Sequence, residues 1–383
     1  MSMLALPPLS LYVHFPWCVR KCPYCDFNSH EPGEKIPQHE YIDALLADLE
    51  HDLPLVAGRE IVSIFFGGGT PSLFAPEQID RLIEALENRL RFADKIEITL
   101  EANPGTLEQH HFGGYRSAGV NRLSIGVQSF DDHALKSIGR IHDRDEAVRA
   151  VESAQRAGFE RINLDLMFGL PGASQAQTLR DLQTAIDLDP GHISWYQLTL
   201  EPNTAFHHAP PPSLPDDDAL WRVQRSGIEL LDTHGYQQYE ISAYSREAQQ
   251  CIHNLNYWQF GDYLGIGAGA HAKLTAANTV LRRWRQRHPR SYLQQATSSS
   301  VISGESRLSL EDRALEFMMN ALRLNQGFEL DLFKQRTGLE LSSIASPLQI
   351  AQDRGLIEVD EYQIKPTATG RLHLNELLGL FVS

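Results

Sequence analysis

The 383 residues predict an α/β fold, a parallel sheet of six strand–helix units followed by a small helical module. Three observations lead there. Apolar, β-branched runs alternate with stretches whose apolar residues recur at three- and four-residue intervals, the mark of amphipathic helices. The runs are nearly continuous in apolar character, as strands covered on both faces require. A polar or glycine-rich segment follows each run, and in barrels and open α/β sheets that edge builds the ligand site.

Taken in order, the candidate strands are residues 11–15 (LYVHF), 61–66 (IVSIFF), 96–102 (IEITLEA), 122–129 (RLSIGVQS), 161–168 (RINLDLMF) and 192–200 (HISWYQLTL). Helical periodicity covers 39–53, 75–90, 143–159 and 174–188, with a weaker pattern over 106–120. Such alternation implies right-handed crossovers and hence parallel strands. Residues 207–218 (HHAPPPSLPDDD) break the rhythm and read as a loop, and an amphipathic helix follows over 219–234. Residues 295–306 (QATSSSVISGES) read as a small-polar linker. Beyond it come helices over 310–324 and 346–356, a hairpin over 357–367 and a closing helix over 368–382, a winged-helix-like pattern. The expected organisation is a strand–helix core over 1–235, an extension over 236–300 and a C-terminal module over 301–383.

Bulk properties narrow the function classes. A hydrophobic fraction of 42% and a charged fraction of 22% are those of a soluble globular protein. No apolar run approaches the length of a membrane span, and residues 1–15 lack the basic start and cleavage site of a signal peptide. A formal charge of −15 argues against a general nucleic-acid binder. The C-terminal module, with 12 acidic and 8 basic residues from Gly304 onward, reads as a packing or gating domain rather than a DNA reader. Three of the four cysteines are clustered, which fits a metal site in a reducing compartment, and a cytoplasmic location is expected.

The cysteines are Cys18, Cys22 and Cys25, spaced C-x3-C-x2-C directly after the first strand, with an aromatic, Tyr24, before the third. Three thiolates can hold three irons of a four-iron, four-sulfur cluster and leave the fourth iron open to a small molecule. The alternative is a zinc knuckle with a remote fourth ligand, but no second cysteine pair exists. Three consecutive glycines in FFGGGTPS (65–72) let a ligand approach the backbone of Gly68, Gly69 and Thr70 closely. The plainer reading is a tight strand-to-helix turn capped by Thr70 or Ser72.

The cysteine spacing in this setting resembles the radical S-adenosylmethionine superfamily. The resemblance implies a partial (β/α)6 radical S-adenosylmethionine barrel, with a [4Fe–4S] cluster on Cys18, Cys22 and Cys25. The amine and carboxylate of S-adenosylmethionine chelate the open iron, and the glycine segment meets the methionyl amino group. One-electron reduction of such a site gives a 5′-deoxyadenosyl radical. Nearly the whole chain resembles one branch, the oxygen-independent coproporphyrinogen III oxidase-like proteins. Tyr12, six residues before Cys18, matches a cofactor contact there, and Glu101 in LEANP matches the carboxylate for the methionine or ribose part. Gln128 in GVQSF, Arg140 in IGRIH and Asp165 in NLDLMFGLPG match further contacts, which in the oxidase serve a second S-adenosylmethionine.

Two features separate the chain from the oxidase itself. The oxidases carry another cysteine two residues after the third, where this chain has Phe27. The segment CIHNLNYW (251–258) is similar to the H-N-x-x-Y-W box of the HemW-type heme chaperones. The resemblance therefore implies a heme chaperone that hands heme to an acceptor protein, with His253 offering an imidazole and Tyr257 and Trp258 packing the macrocycle. The box read alone is equally a buried helix start. The enzyme alternative is oxygen-independent coproporphyrinogen III dehydrogenase. Cys251 reads as a small buried residue. GIGAGAH (265–271) lacks the strand–helix frame of a dinucleotide loop, and in the family it lies near the adenosine. The arginine-rich LRRWRQRHPR (281–290) reads as a solvated face, with heme propionates or an anionic membrane surface as alternative partners. The pairs His110–His111 and His207–His208 have no metal-like framing.

Overall fold

The computed structural model describes residues 4–276 and 278–382. Six parallel strands follow the predicted order: β1 (Leu9–Phe15), β2 (Glu60–Gly68), β3 (Arg91–Ala102), β4 (Arg122–Gln128), β5 (Arg161–Phe168) and β6 (Gly191–Gln197). Helices Gln38–Glu50, Pro76–Glu87, Thr106–Ser117, Arg144–Arg156 and Gln175–Asp187 make the crossovers. The last two open with capping boxes, Asp143 with Glu146 and Ser174 with Gln177. Their apolar stripes pack on the outward residues of the strands, such as Leu9, Leu11, Val13 and Phe15 of β1, all at most 1% exposed.

The inward face is polar, unlike the continuous apolar strands expected. Ser10 and Ser63 bond each other, and Asn163 binds Ser124, Asp165, His192 and Ser194. These buried groups are tolerated because they satisfy one another, and above them the strand ends enclose a cavity.

The sheet extends beyond six strands. A hairpin, β7 (Gln237–Glu240) and β8 (Ala243–Ser245), adds at β6. On the other side β9 (Asp262–Ile266) runs parallel to β1, followed by the antiparallel ribbon β10 (His271–Ala276), β11 (Thr279–Arg285) and β12 (Ile302–Arg307). The order is β12-β11-β10-β9-β1-β2-β3-β4-β5-β6-β8-β7, so the curled sheet keeps two edges.

Two expectations are corrected here. Residues 302–307 of the supposed linker form β12. The arginine run is not a solvated face: Arg285 is fully buried against Asp48 and Asp52, Arg283 pairs with Asp52 and Glu305, and Arg282 pairs with Glu316. The carboxylates come from remote segments, which is why the run looks solvated in sequence. Arg287 and Arg290 remain exposed.

The C-terminal module has its own core around Phe317, Met318, Phe333 and Leu377. Helix Leu310–Ala321 leads into a three-stranded antiparallel sheet of Phe328–Glu329, Gln363–Pro366 and Ile357–Val359. The closing helix divides at His373 into Ala368–Leu372 and Leu374–Gly379. The loop after Ala321 lies along the edge strand β7, where Leu324 bridges Glu240 and Asn325 bonds the backbone of Tyr239 and Gln238. Among the described residues no helix is long and apolar enough to cross a membrane.

Candidate functional site

The loop between β1 and β2 carries the cysteines and is pinched at its base. Cys18 N–H donates to His30 O and His30 N–H to Pro16 O, at 3.0 and 2.7 Å. Inside it, Cys25 N–H donates to Cys22 O and Lys21 Nζ to Phe27 O. The three free thiols are half-buried and line one cavity of about 550 Å3 at the strand C-terminal ends. Phe27, 58% exposed, stands at its edge.

Two donors face the sulfurs. Thr70 Oγ1 lies 3.5 Å from Cys18 Sγ, and an Arg140 guanidinium nitrogen 3.7 Å from Cys22 Sγ. Burial raises the Cys18 and Cys25 thiols, with Thr70 opposing it at Cys18 and the Phe27 backbone at Cys25. Among the described residues no three His, Cys, Asp or Glu side chains converge tightly enough to hold a single metal ion. A cube that gives each thiolate its own iron fits the donor set of three sulfurs and two hydrogen-bond donors.

The glycines after β2 have a packing reason of their own. Gly68 has φ +110°, and a Cβ there would meet the His14 ring at 2.4 Å. A Cβ on Gly69 would lie 2.5 Å from the Trp17 carbonyl oxygen. Gly69 and Thr70 N–H donate to Phe15 O and Trp17 O, so this segment holds the base of the cysteine loop. Gly68, Gly69 and Thr70 still line the cavity.

Glu101, Gln128, Arg140, Asp165 and Tyr24 join them on the wall. Glu101 accepts from Gly68 N–H, and burial with the nearby Asp165 charge pushes its carboxyl up to about 8. Asp165 accepts from Asn163 Nδ2 and Ser124 Oγ, and burial raises it also. Gln128 ends β4 with φ +70°, a strained backbone for a non-glycine residue, and its side-chain oxygen accepts from Tyr196. Arg140 bonds Asn103 Oδ1 and Gly126 O. Burial holds the Tyr24 phenol above its usual range.

Tyr12 and His253 do not line this cavity. Tyr12 bonds His14 Nδ1 at 3.0 Å, and its ring and the His253 ring both lie against Phe65. His253 sits in helix Ile252–Trp258, with Nδ1 3.2 Å from Ser63 Oγ, and burial pushes it down to about 4, so the imidazole is neutral. Glu97 anchors the helix start by accepting from the N–H groups of Ile252 and His253. Further along the box, Asn254 and Trp258 do reach the cavity. Cys251 is buried beside Glu97, its thiol pushed up to about 12 by burial. Residues 265–271 lie outside the cavity, and Asn28 ties them to the cysteine loop through Ala268 O.

Several wall residues escaped the sequence reading. Asn103 and Tyr196 sit beside recognised motifs and follow the inward alternation of their strands. Glu240 and Arg323 are contributed by β7 and the C-terminal loop, and no local pattern marks them.

The radical SAM superfamily matches residues 12–185 and the HemN C-terminal domain residues 308–373. The chain is 50% identical to the heme chaperone HemW of Haemophilus influenzae and 48% identical to that of Escherichia coli, over 100% of both chains in each case. The solved structure of the Escherichia coli coproporphyrinogen III oxidase HemN, described as a radical SAM enzyme, superposes with a TM-score of 0.83 at 25% identity, covering 98% of this chain and 90% of that one. The chain belongs to the radical S-adenosylmethionine superfamily, in the coproporphyrinogen III oxidase-like branch and its HemW subgroup.

Proposed function

We propose that this protein is a heme chaperone that binds heme and passes it to an acceptor apoprotein. One observation carries the reading: Asn254 and Trp258 of the H-N-x-x-Y-W box line the same cavity as the three cysteines. Full-length similarity to proteins named heme chaperones supports it.

In this reading Cys18, Cys22 and Cys25 hold a [4Fe–4S] cluster whose open iron takes S-adenosylmethionine, and the bound pair supplies one-electron chemistry or a conformational signal. Thr70 and Arg140 support the thiolates. Gly68, Gly69 and Glu101 receive the methionyl and ribose parts. Gln128, Arg140, Asp165 and Tyr24 add further contacts on the same wall, and Tyr12 backs the site through His14. His253, held outside the cavity against Ser63 and Phe65, would offer its neutral imidazole to heme iron once its helix turns it inward. The acceptor is a separate protein in the same compartment, expected to be the cytoplasm.

A hemin titration tests the proposal. A stoichiometric Soret shift, lost in His253→Ala, is expected; no shift in the wild type rejects it. The second reading is oxygen-independent coproporphyrinogen III dehydrogenase, favoured by the likeness to the HemN structure. Anaerobic turnover of coproporphyrinogen III by the reconstituted protein would establish it. Phe27, where the oxidases carry a cysteine, stands against it.

A further inference from the structure

The cavity wall away from the cysteine loop holds three buried polar atoms without a hydrogen-bond partner: Arg323 Nε, Trp258 Nε1 and Glu240 Oε2. Buried polar groups are almost always satisfied, so three orphans on one wall call for an absent partner. Their mutual contacts do not supply it. The Arg323–Glu240 approach is 3.6 Å, too long for a direct hydrogen bond. Arg323 lies over the Trp258 ring at 4.4 Å, which holds the guanidinium in place and leaves its Nε edge and the indole N–H unused.

The position of Arg323 is fixed from outside the barrel. It belongs to the C-terminal loop whose Leu324 bridges Glu240 and whose Asn325 bonds the backbone of β7. Arg140, another cavity arginine, is held by Asn103, Gly126 and Cys22 through its terminal nitrogens, although its Nε also has no partner. A guanidinium edge beside an indole N–H is suited to a carboxylate, which accepts two charge-assisted or neutral donors at once. Burial raises the Glu240 carboxyl against the opposing Arg323 charge, so its negative charge beside a bound carboxylate is weakened.

We propose that Arg323 and the indole N–H of Trp258 form a carboxylate subsite on the cavity wall, which takes a propionate of the macrocycle. The C-terminal module thereby supplies a ligand contact as well as packing. This rests on the heme reading above. The methionyl carboxylate of S-adenosylmethionine has the same chemistry, and the test separates the two sources.

The test uses the full-length, cluster-reconstituted protein, titrated with hemin, with hemin dimethyl ester and with S-adenosylmethionine. Wild type is expected to bind hemin about tenfold or more tightly than the ester. Arg323→Gln should lose that preference by weakening hemin alone, and Trp258→Phe, which removes the N–H donor along with part of the ring under Arg323, should lose part of it. S-adenosylmethionine affinity should not change in either variant. The esterified ligand needs no mutation, so a poorly folded variant does not obscure the result. Equal binding of hemin and ester by wild type, or an unchanged preference in Arg323→Gln, overturns the subsite while leaving heme binding intact. Loss of S-adenosylmethionine rather than hemin in Arg323→Gln overturns the assignment to a propionate. Failure of wild type to bind hemin overturns the heme reading and the subsite together.

Discussion

Glu101 and Asp165, on β3 and β5, face one cavity, and the charge of Asp165 adds to burial in raising the Glu101 carboxyl to about 8. A carboxylate held this far up favours its protonated form in the folded state. Between the ordinary carboxylate range and about 8 the folded protein binds a proton that the unfolded chain does not, so stability falls as pH rises through that window and levels above it.

Glu101→Gln should therefore stabilise the ligand-free protein near neutral pH. Glu101 borders the cavity and water reaches it, so the gain is about 1–2 kcal/mol. Thermal melts at pH 5 and 7.5 check this: the variant gains at 7.5 and little at 5. S-adenosylmethionine affinity should move the other way, rising with pH towards 8 in wild type and staying lower and flatter in the variant.

Gly69→Ala places a methyl 2.5 Å from the Trp17 carbonyl oxygen, backbone that cannot swing aside. The base of the cysteine loop must then shift, while β2 and its core contacts lie outside the change. The expected cost is about 1–3 kcal/mol. Iron and sulfide content after anaerobic reconstitution should drop severalfold while far-ultraviolet circular dichroism is retained.

The parts legible in the sequence are those written locally. Strand–helix alternation over 11–200 needs only period and propensity, and the cysteine loop needs only spacing. The ribbon β10–β12 was hidden because its charges are answered from far away: Arg285 by Asp48 and Asp52, Arg282 by Glu316. The candidate site divides the same way. Glu101, Gln128, Arg140 and Asp165 stand at or near successive strand ends and share one cavity, whereas Arg323 reaches it only because a loop follows the edge of β7. His253 was visible as a residue, but its place beside Ser63 and Phe65 depends on how the helix enters the barrel.

Arg285 offers a stability test. It binds Asp48 and Asp52, and Tyr292 donates to Asp48 at 2.9 Å, all with fully buried side chains. Arg285→Ala leaves the buried Asp48 without its cation and Asp52 with Arg283 alone, at a cost of about 3–5 kcal/mol. Urea denaturation should show the loss. The triple change that also neutralises Asp48 and Asp52 to Asn should recover part of it, because the penalty lies in the uncompensated charge.

Glu97 governs the H-N-x-x-Y-W helix without touching the cavity. Its Oε1 accepts from Ile252 N–H at 2.8 Å and His253 N–H at 3.2 Å, and its Oε2 lies 3.1 Å from an Arg161 nitrogen. Removing the charge in Glu97→Gln takes a carboxylate from the positive end of the helix and leaves Arg161 and Arg122 facing a neutral amide. The helix start then loosens against Ser63 and Phe65, and His253 and Trp258 lose their fixed positions. Heme affinity should fall about tenfold, measured by Soret titration. Cluster content and S-adenosylmethionine binding, which depend on the cysteine loop and the strand C-terminal ends, should stay at wild-type levels. A parallel loss of all three would mean that Glu97 holds the barrel as a whole rather than the helix.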